Sequence, residues 1–355
     1  MTGMGMQKFI TDVLPFAAMV MVECTDIGMI TLAKAAMNSG MSKFVYVVYY
    51  NALGTLILLP YIIFHSCRSS RLTLTFSILC RFFILGFVGI CLLQVSAYIG
   101  IDYSSPTLAA AIGNLIPVFT FLFAIICRME KLDLRRSSSQ AKSLGTIVAI
   151  SGAFVMTLYE GPPILMLTSQ TNLPQQLLLL RQSNWALGGL FLAITCICSS
   201  IWNVFQTATV KLYPDEMTIV FFCSCFGSIQ CAIFTLIIER DLGAWVLQPG
   251  IQMTATGYAA IFGTVFRSSI VTWCLGKKGP IYVAMFKPLS TVIAVIMGVM
   301  FLGETLHLGS VIGSILIAIG FYTVIWGQAK EQNMVMDVVC GSESSTPNTP
   351  LLQGH

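Results

Sequence analysis

Apolar residues form ten long runs along the chain, and short polar segments separate them. The runs are continuous rather than alternating, so they are typical of membrane helices and not of the strands of a barrel. A helix also satisfies its own backbone hydrogen bonds where no water is present. We predict an all-α membrane protein with ten transmembrane helices, at residues 13–36, 43–65, 77–100, 105–127, 143–159, 185–209, 217–238, 253–276, 280–302 and 309–327.

The second half of the chain repeats the order of Pro, Glu and Gly residues found in the first half. In each half two apolar runs flank a short polar turn, over 106–152 and 280–327. The same offset relates Gly89 to Gly263, Pro106 to Pro280 and Glu130 to Glu304. After Glu130 the first half has six extra residues, and beyond them Gly145 corresponds to Gly313 and Gly152 to Gly320. This pattern predicts a duplicated five-helix unit. Gly145 and Gly152 are seven residues apart, as are Gly313 and Gly320, so the two glycines lie on one face of each helix, which favours close helix packing.

The duplication divides the chain into five parts. A cytoplasmic N-terminal segment (1–12) precedes the first repeat (13–159), and a loop with several Pro and Gln residues (160–184) leads to the second repeat (185–327). The remaining residues, 328–355, are polar and rich in Ser, Thr and Pro, a composition typical of a disordered tail.

Lysine and arginine residues set the predicted orientation. If the N terminus is cytoplasmic, thirteen of these residues fall in inside segments and four in outside segments, in agreement with the positive-inside rule. Both termini are therefore predicted to be cytoplasmic. Because five is an odd number of spans, the second repeat must enter the membrane inverted. Inverted repeats with a binding site between them are typical of transporters.

Composition excludes several classes of protein. The chain is 56% hydrophobic and only 10% charged, against about 25% charged in soluble domains. The sequence has no polybasic run of the kind that binds nucleic acid. Its twelve cysteines lie mostly in apolar runs, and with three histidines they form no zinc-ligand pattern. We therefore expect the lipid bilayer and a small-molecule substrate as partners, no metal and no cofactor.

Four ionisable residues stand out because they lie well inside predicted spans, where a charge costs about 3 kcal/mol or more at the centre, and not at the ends of the spans. Glu23 and Asp26 are three residues apart, hence on one face of the first helix. Arg267 lies in the eighth helix and Lys287 in the ninth. Two interpretations remain open. The four residues form ion pairs between helices, or some of them line a pathway for a zwitterion that carries both an ammonium and a carboxylate group.

Further candidates for the substrate pathway are uncharged or aromatic residues inside spans. Prolines next to polar residues draw attention, because a proline frees backbone carbonyl groups within a helix. Pro288 aligns with Asn114 when the repeats are superposed, which points to a site at the repeat interface. The full set of these candidates is Gln94, Asn114, Pro117, Trp202, Asn203, Gln206 and Pro288.

Four sequence segments resemble the nodulin-21-like or WAT1-related (UmamiT) plant drug/metabolite transporters, which are built from two EamA units. The segments are Phe301–Gly327, Ser151–Pro162, Gly113–Phe121 and the Trp-x-x-x-Gln…Lys-x-Tyr-Pro pattern that begins at Trp202. The resemblance covers roughly residues 10–330. It implies ten helices with cytoplasmic termini and movement of amino acids or related small metabolites. The chain departs from the usual pattern at Glu23 and Asp26 and at Arg267.

We predict a carrier for amino acids or related metabolites that works by alternating access, and not an enzyme, since the motifs of intramembrane proteases are absent from the sequence. The alternative is a carrier for an auxin-type organic anion, or for a sugar phosphate or nucleotide sugar. A multi-pass plasma-membrane protein is expected, with the vacuolar membrane as the second choice. The sequence leaves open whether the protein is a monomer or a homo-oligomer.

Overall fold

The computed structural model describes residues 13–68, 74–103, 112–129, 137–159, 161–165, 185–297 and 306–343. Nearly all of these residues are helical. The helices of the first half are α1 (Leu14–Asn38), α2 (Lys43–Arg68), α3 (Phe76–Gly86), α4 (Leu93–Tyr103), α5 (Ile116–Ile126) and α6 (Ser137–Leu158). Those of the second half are α7 (Trp185–Leu212), α8 (Glu216–Ile238), α9 (Ile251–Tyr258), α10 (Ser268–Lys278), α11 (Pro280–Met297) and α12 (Leu308–Glu343).

Every one of the ten predicted spans contains helix. Seven stretches within the described residues are long and apolar enough to cross a membrane: Leu14–Asn38, Lys43–Phe64, Phe76–Gly100, Leu187–Leu212, Glu216–Ile238, Ile251–Lys278 and Leu308–Gly327. Shorter apolar helices occupy Ile116–Ile126 and Pro280–Ile293. Many large apolar side chains lie exposed on these helices, as expected of a surface that faces lipid. The prediction of a helical membrane protein is confirmed.

Two helices contain a π-helical segment at matching positions of the two halves. The first joins α3 to α4 at Phe87–Leu92, and the second joins α9 to α10 at Ala259–Arg267. When the two halves are aligned by the offset that relates Gly89 to Gly263, the first π-helical segment falls within the bounds of the second. A π-helical turn holds an extra residue, so it rotates the side chains that follow, and such turns are frequent at functional sites.

The last helices of the two halves, α6 and α12, pack closely through their glycine faces. A Cβ atom on Gly145 would lie 2.7 Å from the carbonyl oxygen of Gly320, and one on Gly152 would lie 2.9 Å from that of Gly313. The predicted role of these glycines in close packing is therefore confirmed. Because the later residue of α6 meets the earlier residue of α12, the two helices are antiparallel.

Helices of one half pack mainly against helices of the other half. α1 contacts α9 and α11, and its counterpart in the second half, α7, contacts α4 and α5. α2 contacts α8 and the second π-helical segment, while α8 contacts α3 and the first segment. α2 and α8 are antiparallel, because Phe44 meets Phe234 while Ser42, nearer the start of the chain, binds Glu239. These contacts therefore join the two halves along several helices.

Two features differ from the sequence prediction. A short antiparallel pair of strands, β1 (Pro163–Leu165) and β2 (Leu306–His307), lies where only loop was expected. Consecutive prolines favour extended backbone there. At the C terminus α12 continues to Glu343, although a disordered tail was predicted from residue 328. Residues 328–340 contain good helix formers and no proline, so the helix can continue.

Several predictions concern residues outside the described ranges. These are Glu130 and Glu304, the N-terminal segment 1–12, most of the inter-repeat loop and residues 344–355.

Candidate functional site

Four charged side chains from α1, the second π-helical segment and α11 meet in what we call the charge cluster: Glu23, Asp26, Arg267 and Lys287. Lys287 Nζ lies 3.2 Å from Glu23 Oε2 and 3.5 Å from Asp26 Oδ2. Arg267 Nε lies 3.0 Å from the same Asp26 oxygen. Asp26 therefore bridges the two bases, and the formal charges of the cluster sum to zero.

The sequence places these groups together for simple reasons. Glu23 and Asp26 share the face of α1 that packs against α11 and the second π-helical segment. An unpaired charge at membrane depth is costly, so pairing is the expected outcome. Of the two interpretations left open by the sequence, the ion pairs are present, whereas a role of these residues in transport stays a prediction. The described residues include no group of three or more His, Cys, Asp or Glu side chains that could hold a metal ion.

The acids and bases of the cluster differ in exposure. The side chains of Glu23 and Asp26 are only 3% and 11% exposed, whereas those of Lys287 and Arg267 are 30% and 35% exposed. The carboxylates therefore lie behind the bases. The two bases are therefore the more accessible members of the charge cluster.

Arg267 also borders a cleft between helices of the two halves. Even with its open mouth included, this cleft encloses about 310 Å³. Most of the residues that line it are polar or small: Tyr50, Asn51, Gln94, Ser224, Thr264, Arg267 and Ser268, with Gly263 and the apolar Met29 and Ile90. We call it the Arg267 cleft. Both π-helical segments contribute to its wall, through Ile90 and through Gly263 to Arg267.

An amide pair orders one side of the cleft. Asn51 Nδ2 donates to Gln94 Oε1 at 3.0 Å and to the Val47 carbonyl oxygen at 2.9 Å. Gln94 was predicted from the sequence as a pathway residue, whereas Asn51 and Tyr50 were not. An asparagine in the middle of an apolar run was the available signal for Asn51, since buried amides in membrane helices need partners.

Asn114 and Pro117 lie at a break in the fourth predicted span. Asn114 and Leu115 form a turn just before α5, and Pro117 lies in the first turn of that helix. Pro117 therefore does not free a carbonyl group within a helix, contrary to the sequence prediction, because proline at a helix start displaces no hydrogen bond. Asn114 Oδ1 accepts a hydrogen bond from Thr291 of α11 at 3.2 Å. Thr291 lies one helical turn beyond Lys287, so this hydrogen bond joins the Asn114 turn to α11 close to the charge cluster.

Pro288 lies inside α11, next to Lys287. Pro288 has no backbone N–H, so it cannot donate a hydrogen bond to the carbonyl group of Ala284, a fully buried residue. The structure therefore places a freed backbone acceptor one turn from the charge cluster, as the sequence predicted for a proline within a span.

The polar residues of α7 lie away from the Arg267 cleft. Gln206 is buried and its Nε2 donates to Thr272 Oγ1 at 2.5 Å, and Asn203 is also buried. Trp202 packs directly over Gly89 in the first π-helical segment. Gln206 Oε1 and Asn114 Nδ2 are buried without a hydrogen-bond partner. Such groups are rare, because an unpaired buried polar group costs about 1–3 kcal/mol.

Comparison with known proteins gives a consistent result. Residues 17–158 and 186–326 each match the EamA-like transporter family. Two WAT1-related proteins of Arabidopsis thaliana are 46% and 47% identical to the chain; the alignments cover 98% and 94% of this chain and 94% and 90% of those proteins. A protein of known crystal structure shares the fold with a TM-score of 0.65 at 13% identity, over 90% of this chain and 98% of that one.

Proposed function

Because the chain belongs to the EamA-like transporter family and to its WAT1-related proteins, we propose that it carries amino acids or related small metabolites across a membrane by alternating access. In this proposal the two halves rock against each other around the charge cluster. The protein acts as a carrier and not as an enzyme.

The charge cluster is the observation that carries this proposal. It presents two acids and two bases at the contact between the halves, with Asp26 shared by Arg267 and Lys287. A zwitterionic amino acid has one group for each sign. Ion pairs that open in one conformation and close in another can couple binding to movement.

Packing between the halves supports ten spans arranged as two inverted five-helix repeats. Equivalent helices that meet, α6 with α12 and α2 with α8, are antiparallel. Repeats related by an axis along the membrane normal would place equivalent helices parallel, whereas an axis in the membrane plane makes them antiparallel. The two separate family matches and the matched π-helical segments support the same arrangement.

The other candidate substrates of such a carrier are ranked by the size and charge of each substrate. The Arg267 cleft is small, since its volume of about 310 Å³ includes the open solvent at its mouth, and this favours a small metabolite over a nucleotide sugar. An auxin-type organic anion remains the second candidate, because Arg267 is accessible while its acid partner is not. We further propose the plasma membrane, with the vacuolar membrane second, and cytoplasmic termini, which the Lys/Arg distribution supports.

Uptake and efflux by oocytes that express the full chain test the proposal. The panel contains radiolabelled amino acids, indole-3-acetate and a sugar phosphate, with water-injected oocytes as the control and surface biotinylation to verify delivery. We expect at least one amino acid to move several-fold faster than in control oocytes. A protein that reaches the surface and moves no amino acid contradicts the proposed substrate class, and movement of indole-3-acetate alone selects the alternative.

A further inference from the structure

We propose that the Arg267 cleft binds the carboxylate group of the substrate, and that this carboxylate competes with Asp26 for the guanidinium group of Arg267. The inference rests on the proposed carrier function and specifies which chemical group of the substrate is recognised, and where. It predicts that a carboxylate is required for binding, whereas an amino group is not sufficient.

Arg267 has the geometry for this role. Asp26 Oδ2 lies 3.0 Å from Arg267 Nε, an ion-pair contact without hydrogen-bond geometry. A guanidinium group has five donors in a planar fork, so its two terminal nitrogens can bind a second carboxylate. Arginine binds carboxylates through two parallel hydrogen bonds, which are stronger than bonds between neutral groups. More than a third of the side chain is accessible, and Arg267 forms part of the cleft wall.

The other polar groups in the cleft are neutral and include several donors. Gln94 Oε1 accepts from Asn51, which leaves the Gln94 amide nitrogen as a donor. Tyr50, Ser224 and Ser268 line the same cleft, and the Ser268 hydroxyl group already donates to the Gly263 carbonyl oxygen at 3.4 Å. Among the described residues that line it, Arg267 carries the only formal charge, so the cleft attracts an anionic group and offers an ammonium group no exposed acid.

The two halves contribute differently to the cleft. At the positions equivalent to Arg267 and Ser268, the first half has Leu93 and Gln94. The second half therefore supplies the charge, and the first half supplies an amide donor. Because Arg267 is the last residue of the second π-helical segment, the extra residue of that segment determines the direction in which its side chain points.

Competition with Asp26 explains how binding could open the cluster. A substrate carboxylate on Arg267 weakens the attraction between Arg267 and Asp26. Asp26 then has Lys287 as its remaining base, at 3.5 Å, and its second oxygen becomes available to the ammonium group of a zwitterion. A lone amine would have to reach a carboxylate that is only 11% exposed, past two bases that repel it.

Binding to the purified full-length protein in lipid nanodiscs tests this inference, with three probes that share the same isobutyl side chain. They are L-leucine, its decarboxylated analogue 3-methylbutylamine and its deaminated analogue 4-methylpentanoate. We expect L-leucine and 4-methylpentanoate to bind at least tenfold more tightly than the amine. Arg267→Gln should raise the Kd of both carboxylates at least tenfold, and Asp26→Asn should lower the Kd of 4-methylpentanoate, because the competing acid is removed and this probe has no ammonium group that needs it.

Two further variants keep the test decisive. Gln94→Leu leaves the charge cluster intact and should weaken carboxylate binding several-fold even if Arg267→Gln fails to fold. Arg240→Gln, which lies beyond the end of α8, is the matched control and should bind like the wild type. An amine that binds as tightly as the acids, or a folded Arg267→Gln variant with unchanged affinity for the acids, overturns the inference.

The outcomes also separate this inference from the proposed function. Carboxylate binding that depends on Arg267, without amino-acid uptake in oocytes, contradicts the proposed substrate and supports the site. Amino-acid uptake that Arg267→Gln leaves unchanged supports the substrate and overturns the site.

Discussion

Replacing Lys287 with Ala is expected to abolish transport and to lower the thermal stability of the protein. Lys287 is the only base in contact with Glu23 among the described residues, and it also contacts Asp26. Removing one partner of a buried ion pair costs about 3–5 kcal/mol, because the other charge is left without compensation. Since the Lys287 side chain is 30% exposed, we expect a cost near the lower limit. Uptake in oocytes and the melting temperature in detergent measure the two effects.

Two companion variants separate stability from function. Lys287→Arg keeps the charge and should retain most of the stability. The double variant Glu23→Gln/Lys287→Met removes an acid and a base together, so it should recover stability while transport remains lost. If the double variant transports at the wild-type rate, the Lys287–Glu23 pair only holds the helices together, which contradicts its proposed role in the substrate pathway.

Replacing Gly320 with Ile is expected to separate α12 from α6 and to destabilise the protein severely. A Cβ atom at this position would meet the backbone of Ala149 and Gly145, which cannot move aside as a side chain can. Overpacking typically costs about 1–3 kcal/mol, and contact with backbone places this substitution at the upper end or beyond. The melting temperature and the monodisperse fraction in size-exclusion chromatography measure the loss.

Gly189→Ile provides a matched control in another membrane helix, α7. A Cβ atom on Gly189 would meet no atom within 4 Å, so the same substitution should change the melting temperature little. Equal destabilisation by both variants would indicate that isoleucine itself, and not the α6–α12 contact, is responsible.

Much of the architecture could be predicted because it depends on the length of the apolar runs and on the free-energy cost of placing charged side chains inside the membrane. Each predicted span contains helix, and the four intramembrane charges pair because leaving them apart in lipid is unfavourable. The glycine pairs at 145, 152, 313 and 320 predicted a close helix contact that the structure contains.

Other features could not be predicted, because they depend on how helices meet. A π-helical segment adds one residue to a turn and leaves no mark on an apolar run, so the pair at Phe87–Leu92 and Ala259–Arg267 was missed. Asn51 and Tyr50 became candidates only when the packing of α2 brought them to the cleft. Pro117 was expected inside a helix, and only the structure reveals that the helix starts beside it.

The orientation of the two halves is the central claim, because alternating access around the charge cluster depends on it. The most direct measurement is labelling of single cysteines at positions 130 and 304 by a membrane-impermeant maleimide in intact cells, in a functional variant without the twelve native cysteines. These equivalent positions should lie on opposite sides of the membrane, so that the cysteine at 304 is labelled from outside and the one at 130 only after permeabilisation. Labelling of both positions from the same side would contradict the inverted arrangement.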